Sequence, residues 1–195
     1  MAVARRLGFD AIRAVRNATG LGAYSRHVLA GLAEADPTRD LHGYTPVGPA
    51  ADFPFPAPPG TLHLPPRGWR GAALGKLWRT ARLGQQVAAD GIEVYHGLTQ
   101  EIPRDLPGTG VRSVVTIHDL LYVTRPELFP AIDRASYRWR YRWSAERADA
   151  IIAVSSGTRD DLAGHWQLDP ARIAVVPPAV DPACFTVPSP EAIAA

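Results

Sequence analysis

The chain has 195 residues, 46% hydrophobic and 21% charged, with a formal net charge of +2. That composition is globular, neither disordered nor fibrous, and the near-balance of charge excludes a general polyanion-binding field. The length suits one ordinary domain, able to bury roughly 70% of the surface its unfolded form exposes.

The first apolar run, Val3 to Phe9, predicts an opening strand, followed by a loop from Asp10 to Thr19. Tyr24, Val28, Leu29 and Leu32 then recur at helical spacing, which predicts a helix from about Gly22 to Ala35, stopped by Asp36-Pro37. A second strand is expected over Leu41–Thr45. Proline and glycine between Pro46 and Pro59 forbid helix and ladder alike, and Thr61–Leu64 reads as a short strand. A helix is expected over Gly71–Ala89, with Leu74, Leu77, Trp78, Leu83 and Val87 on one side. Strands follow at Ile92–Tyr95 and, most clearly, Val111–Ile117. A helix is predicted over Tyr137–Ala148, a strand over Ala150–Val154, a capped helix from Ser155 to about His165, and a last strand over Ile173–Val176. Strands alternating with helices predict a single α/β, Rossmann-like, doubly wound parallel sheet; strands that read as unbroken apolar runs imply helices on both faces. Ligands of such sheets bind beyond the carboxyl ends of the strands.

The loops at those ends hold the candidate chemistry. Gly20-Leu21-Gly22 opens a helix, where glycine admits close backbone approach and free N–H groups favour a phosphate. Ser25 stands where a dinucleotide fingerprint needs its third glycine, so NAD is disfavoured, and a glycine pair that only turns the chain is the competing reading. His118-Asp119 follows the clearest strand: the imidazole can donate to a sugar hydroxyl or polarise a leaving group, with Asp119 orienting it, or His118 simply caps the strand end on a backbone carbonyl. His96-Gly97-Leu98-Thr99 ends another strand and is read either as a ligand turn or as an ordinary one. No cluster has metal-ligand spacing, and no Gly-x-Ser-x-Gly elbow surrounds Ser155.

Two basic-aromatic stretches remain, one with Arg67, Trp69, Arg70, Lys76, Trp78, Arg79 and Arg82, the other beginning at Tyr137. An anionic membrane surface, nucleic acid, and a helix with core-facing aromatics and solvated arginines compete for both, the first stretch being the better membrane candidate. One cysteine, Cys184, fits a reducing cytosol, and neither a spanning segment nor a leader pattern is evident, so a cytoplasmic location is expected, extending to the inner face of the membrane.

In chain order, Thr19-Gly-Leu-Gly-Ala-Tyr-Ser-Arg, Val94-Tyr-His-Gly, Val114-Val-Thr-Ile-His-Asp-Leu, Ala148 through Leu162, and Arg172-Ile-Ala-Val-Val-Pro-Pro-Ala-Val-Asp-Pro resemble the N-terminal, acceptor-side domain of family 4 retaining glycosyltransferases of GT-B fold. Ala179 departs from the glycine common before Val180-Asp181. The resemblance implies hexose transfer from a UDP- or GDP-linked nucleotide-sugar to a glycan or glycolipid, with no metal or other cofactor and no nucleic-acid partner. It places Gly20, Leu21 and Gly22 at the donor phosphates, His118 and Asp119 at the reaction centre, and Tyr24, His96, Gly97 and Thr99 on the acceptor side. It assigns residues 1–180 to this domain and 181–195 to the start of the connection, with the donor-binding C-terminal domain missing and the chain silent alone. The alternative is a non-catalytic Rossmann-like binding module.

Overall fold

The computed structural model describes residues 5–53 and 61–179. The expected start of the first strand before Arg5 and the interdomain connection at 181–195 lie outside them. Seven strands form one sheet: β1 (Arg6–Asp10), β2 (Asp40–Tyr44), β3 (Thr61–His63), β4 (Val94–Gly97), β5 (Arg112–Ile117), β6 (Ala150–Ala153) and β7 (Ile173–Val175). All neighbours are parallel, in the order β3-β2-β1-β4-β5-β6-β7. The chain winds outward from β1 to β3, then returns to the other side of β1 and winds out again. The switch point therefore lies between β1 and β4, where Phe9 pairs with His96.

Seven α-helices connect them: α1 (Ile12–Arg16), α2 (Gly20–Ala35), α3 (Ala72–Ala81), α4 (Leu83–Ala89), α5 (Leu121–Thr124), α6 (Ala131–Arg147) and α7 (Ser156–Trp166). Alternate side chains of each strand divide between two cores. Leu7, Phe9 and Leu41 pack with Ala14 and Val15 of α1 and Tyr24 and Leu29 of α2. Tyr95, Val115, Ile117, Ile151 and Ala153 pack on the other face with Trp78, Leu83, Val87, Ala145, Leu162 and Trp166 of α3, α4, α6 and α7. The expected α/β, doubly wound architecture is present.

Three elements differ from expectation. The stretch Asp10–Thr19 contains α1, whose five residues bury only Ala14 and Val15, too short a pattern to show periodicity. The single helix expected over 71–89 is broken at Arg82, whose backbone (φ −137°, ψ −13°) ends α3 and restarts the chain as α4. The break turns Leu83 and Gly84 inward while Leu74 and Leu77 remain 47% and 51% exposed, so those leucines are not on the packed side. Helix α6 begins at Ala131, six residues before Tyr137, because Pro130 supplies its start.

Candidate active site

The site forms where α2 passes over the tips of β4 and β5. Tyr24 is buried one turn into α2, and its hydroxyl lies 3.1 Å from Thr116 Oγ1. Thr116 Oγ1 in turn lies 2.8 Å from His96 Nε2. Strand alternation puts His96 and Thr116 on the α2 face of adjacent strands, which lets one threonine hydroxyl bridge helix and strand. Burial raises the Tyr24 pKa, so the phenol keeps its proton. Burial, helped by nearby His118, lowers the His96 pKa to about 4, so His96 is neutral at physiological pH.

His118 stands just past β5, half-buried, with the edge of the Tyr24 ring against it at a centroid distance of 4.7 Å and an interplanar angle of 86°. Its Nε2 lies 3.0 Å from the Leu98 carbonyl oxygen. A carbonyl only accepts, so Nε2 carries the proton. Burial lowers the His118 pKa, more than the Leu98 carbonyl and the Asp119 charge raise it, which favours the neutral ring with a lone pair on Nδ1. The His118 carbonyl accepts from Thr158 Oγ1 at 3.0 Å, and Ser155 Oγ accepts from Thr158 N at 3.1 Å as the N-cap of α7. The strand-capping carbonyl bond and a ring nitrogen left for a ligand thus coexist in one residue.

The other predicted residues are placed as follows. Asp119 Oδ1 accepts from Leu121 N at 3.0 Å and opens α5, so it acts on His118 through charge and not through a hydrogen bond. Gly97, the last residue of β4, and Thr99, in the turn after it, are buried; a Cβ on Gly97 would overlap the Glu101 carbonyl, so the glycine lets the turn fold back on the strand end. At the start of α2, a Cβ on Gly22 would overlap the Asn17 carbonyl, and Gly22 N donates to Thr19 O at 2.9 Å. Gly22 is thus required by the approach of α1 to α2. Gly20, by contrast, is exposed with open space around it, and the N–H groups of Gly20 and Leu21 precede the first helical donor, Gly22 N. Among the described residues, no group of three or more His, Cys, Asp or Glu could hold a metal ion.

Sequence reasoning missed Thr116, the hub of the cluster, although a hydroxyl between apolar residues near the carboxyl end of the strand was a visible signal. It also missed a buried ion network beside the site. Arg79 of α3 is bound to Asp10 at the end of β1 at 2.5 Å and lies 3.7 Å from Glu101, which Arg140 of α6 holds at 2.7 Å. These partners are far apart in the chain, and no local pattern reports them. Arg79 is therefore not one of the solvated arginines expected of a core-facing helix.

The sheet order and the cluster at its carboxyl edge define a Rossmann-like α/β domain with its polar site at the topological switch point. The family model of Glycosyltransferase Family 4 matches residues 18–183, nearly the whole chain, and the protein belongs to that family. A comparison with curated proteins gave no match.

Proposed function

We propose that this chain is the acceptor-side half of a GT-B enzyme that transfers a hexose from a UDP- or GDP-linked donor to a glycan or glycolipid with retention of configuration. In that reaction the bond from the sugar C1 to the diphosphate oxygen breaks and a bond from C1 to an acceptor oxygen forms on the same face. The observation that carries the reading is the contact of His118 with Tyr24, one turn into α2, beside the switch point. The N–H groups of Gly20 and Leu21, at the positive end of a 16-residue helix, suit the diphosphate and its growing charge. His118 Nδ1 suits a sugar hydroxyl as acceptor. His96, Gly97 and Thr99 shape the acceptor side from beneath, Gly22 lets α1 support the start of α2 beneath the donor phosphates, and Tyr24 lines the acceptor side and orients His118. No metal or other cofactor takes part in this scheme.

This reading requires a donor-binding domain as partner, so residues 1–195 assayed by themselves are expected to be silent. A mass-spectrometric transfer assay with UDP- and GDP-sugars tests this, and turnover by the chain alone overturns it. Backbone NMR titration with UDP- and GDP-sugars is expected to shift Gly20, Leu21 and His118 at millimolar ligand; shifts confined to other faces refute the site.

A peripheral membrane contact is proposed for the outer face of the α5–α6 region. Leu128, in the turn between them, and Ile132 and Trp139 of α6 are 66%, 79% and 61% exposed, with exposed Arg125 and Arg138 in the same stretch, and Arg138 and Trp139 line a concavity of about 800 Å³. On α3, Trp78 and Arg79 are taken up by the interior, which makes the second basic-aromatic stretch the better candidate. No helix among the described residues is long and apolar enough to cross a membrane. Sedimentation with phosphatidylglycerol vesicles is expected to carry the chain down and to weaken in Trp139→Ser; equal binding to neutral phosphatidylcholine vesicles rejects the contact.

A further inference from the structure

We propose that Glu101 is a positioning residue for His118, acting through the turn after β4; the inference rests on the reading of His118 as the sugar-facing group. The acceptor that fixes the His118 ring is a backbone atom, the Leu98 carbonyl, so the ring is only as well placed as the turn from Gly97 to Glu101. That turn is a forced one. Gln100 sits at φ +68°, in the left-handed region a side chain rarely adopts, held there by its N–H donating to Thr116 O at 2.9 Å. Gly97 abuts the Glu101 carbonyl so closely that no Cβ fits between them. What ties the turn to the helices is the Glu101 carboxylate, gripped by Arg140 Nη1 of α6 at 2.7 Å and faced by Arg79 Nη1 of α3 at 3.7 Å. Asp10 completes the group by binding Arg79, so the charges of α3, α6, the β1 tip and the turn balance.

The chain of contacts is short and directional. Two arginines hold Glu101, Glu101 anchors the turn, the turn presents the Leu98 carbonyl, and that carbonyl keeps the proton on Nε2. Nδ1 is then the nitrogen offered to substrate. A backbone acceptor cannot be mutated away, but its anchor can. Without the Glu101 charge the turn relaxes, and His118 samples the tautomer with its proton on Nδ1, which turns an acceptor into a donor at the sugar.

Histidine ¹⁵N NMR on the full chain at neutral pH reads this directly. In the unsubstituted protein His118 is expected to show a protonated Nε2 and an unprotonated Nδ1 as two separated signals. In Glu101→Gln the two are expected to move toward a common average, while His96, bonded to Thr116, stays in place and reports an intact fold. A folded Glu101→Gln protein with unchanged His118 signals overturns the inference. Should that variant fail to fold, Arg140→Gln removes only the outer partner, and a shift in the same direction is expected; no shift there also overturns it. A proton on Nδ1 in the unsubstituted protein refutes the reading of His118 itself, whereas a protonated Nε2 in every variant leaves that reading standing and removes only the role of Glu101.

Discussion

The burial of His96 makes a specific prediction about acid stability. Its pKa falls from an ordinary 6.5 to about 4 because the ring is buried and His118 lies nearby. The folded-state value is depressed, so the unfolded chain takes up the proton first. The contribution of this residue to stability is complete above pH 6.5 and is lost as the pH falls toward 4. At about 1.4 kcal/mol per pH unit the whole loss is about 3 kcal/mol. His63 and His118 are shifted in the same direction, again chiefly by burial, so the protein as a whole loses stability on acidification. Comparison with His96→Gln isolates the one residue, because glutamine keeps a hydrogen-bonding group near Thr116 and does not titrate. At pH 7.5 the variant is expected to be less stable by about 1–2 kcal/mol through poorer hydrogen-bond geometry. Urea unfolding followed by circular dichroism from pH 7.5 to pH 4 should then show the two stabilities converge and cross between about pH 5 and 6, since the native protein alone carries the penalty. Stability curves that stay parallel across that interval refute the argument.

Three further outcomes follow from the packing. Gly22→Ala is expected to cost about 1–3 kcal/mol, because the Asn17 carbonyl it meets belongs to backbone that cannot swing away, whereas Gly20→Ala, in open space, should be neutral or stabilising by up to about 1 kcal/mol; equal urea midpoints for the two reject the distinction. Arg79→Met strands the Asp10 carboxylate, 1% exposed, and should cost about 3–5 kcal/mol, with Asp10→Asn in the same chain restoring part of it; thermal melts of single and double variants decide. Thr116→Val keeps the shape but leaves the Tyr24 hydroxyl and His96 Nε2 without their shared partner, so about 2–4 kcal/mol should be lost in the same melts, and a loss under about 0.5 kcal/mol rejects the hub.

What could be read from the sequence was set by range. Val111–Ile117 and Ala150–Val154 announce buried strands because every residue in them obeys the same local requirement, and the structure moves their ends by one residue only. Arg82 breaks a helix whose leucine spacing looked continuous, since periodicity says which residues share a side but not which side is covered. Gly20 and Gly22 are two residues apart and chemically identical in the sequence. Only the passage of α1 beneath α2 separates the crowded glycine from the open one, and α1 itself is too short to predict. His118 was legible as a strand-tip group. That its tautomer depends on Leu98, and the turn on Arg79 and Arg140, is long-range information that no window of sequence contains.

The crowding at the switch point also limits what the site can offer a ligand. Backbones meet there at Gly22 against Asn17 and at Gly97 against Glu101, and the polar groups between them are largely consumed by one another: Tyr24 and His96 by Thr116, Thr158 by His118 O and Ser155. Two backbone donors at the start of α2 and one ring acceptor beyond β5 are the groups left facing outward on the proposed reading. Donors collected at a helix N-terminus favour an anion, and a neutral acceptor favours a hydroxyl. A diphosphate joined to a hexose presents sugar hydroxyls beyond its terminal phosphate, whereas a free nucleotide carries hydroxyls only on its ribose, on the other side of the diphosphate. The nucleotide-sugar should therefore perturb Gly20 and His118 together in a titration, and the nucleotide should perturb His118 much less.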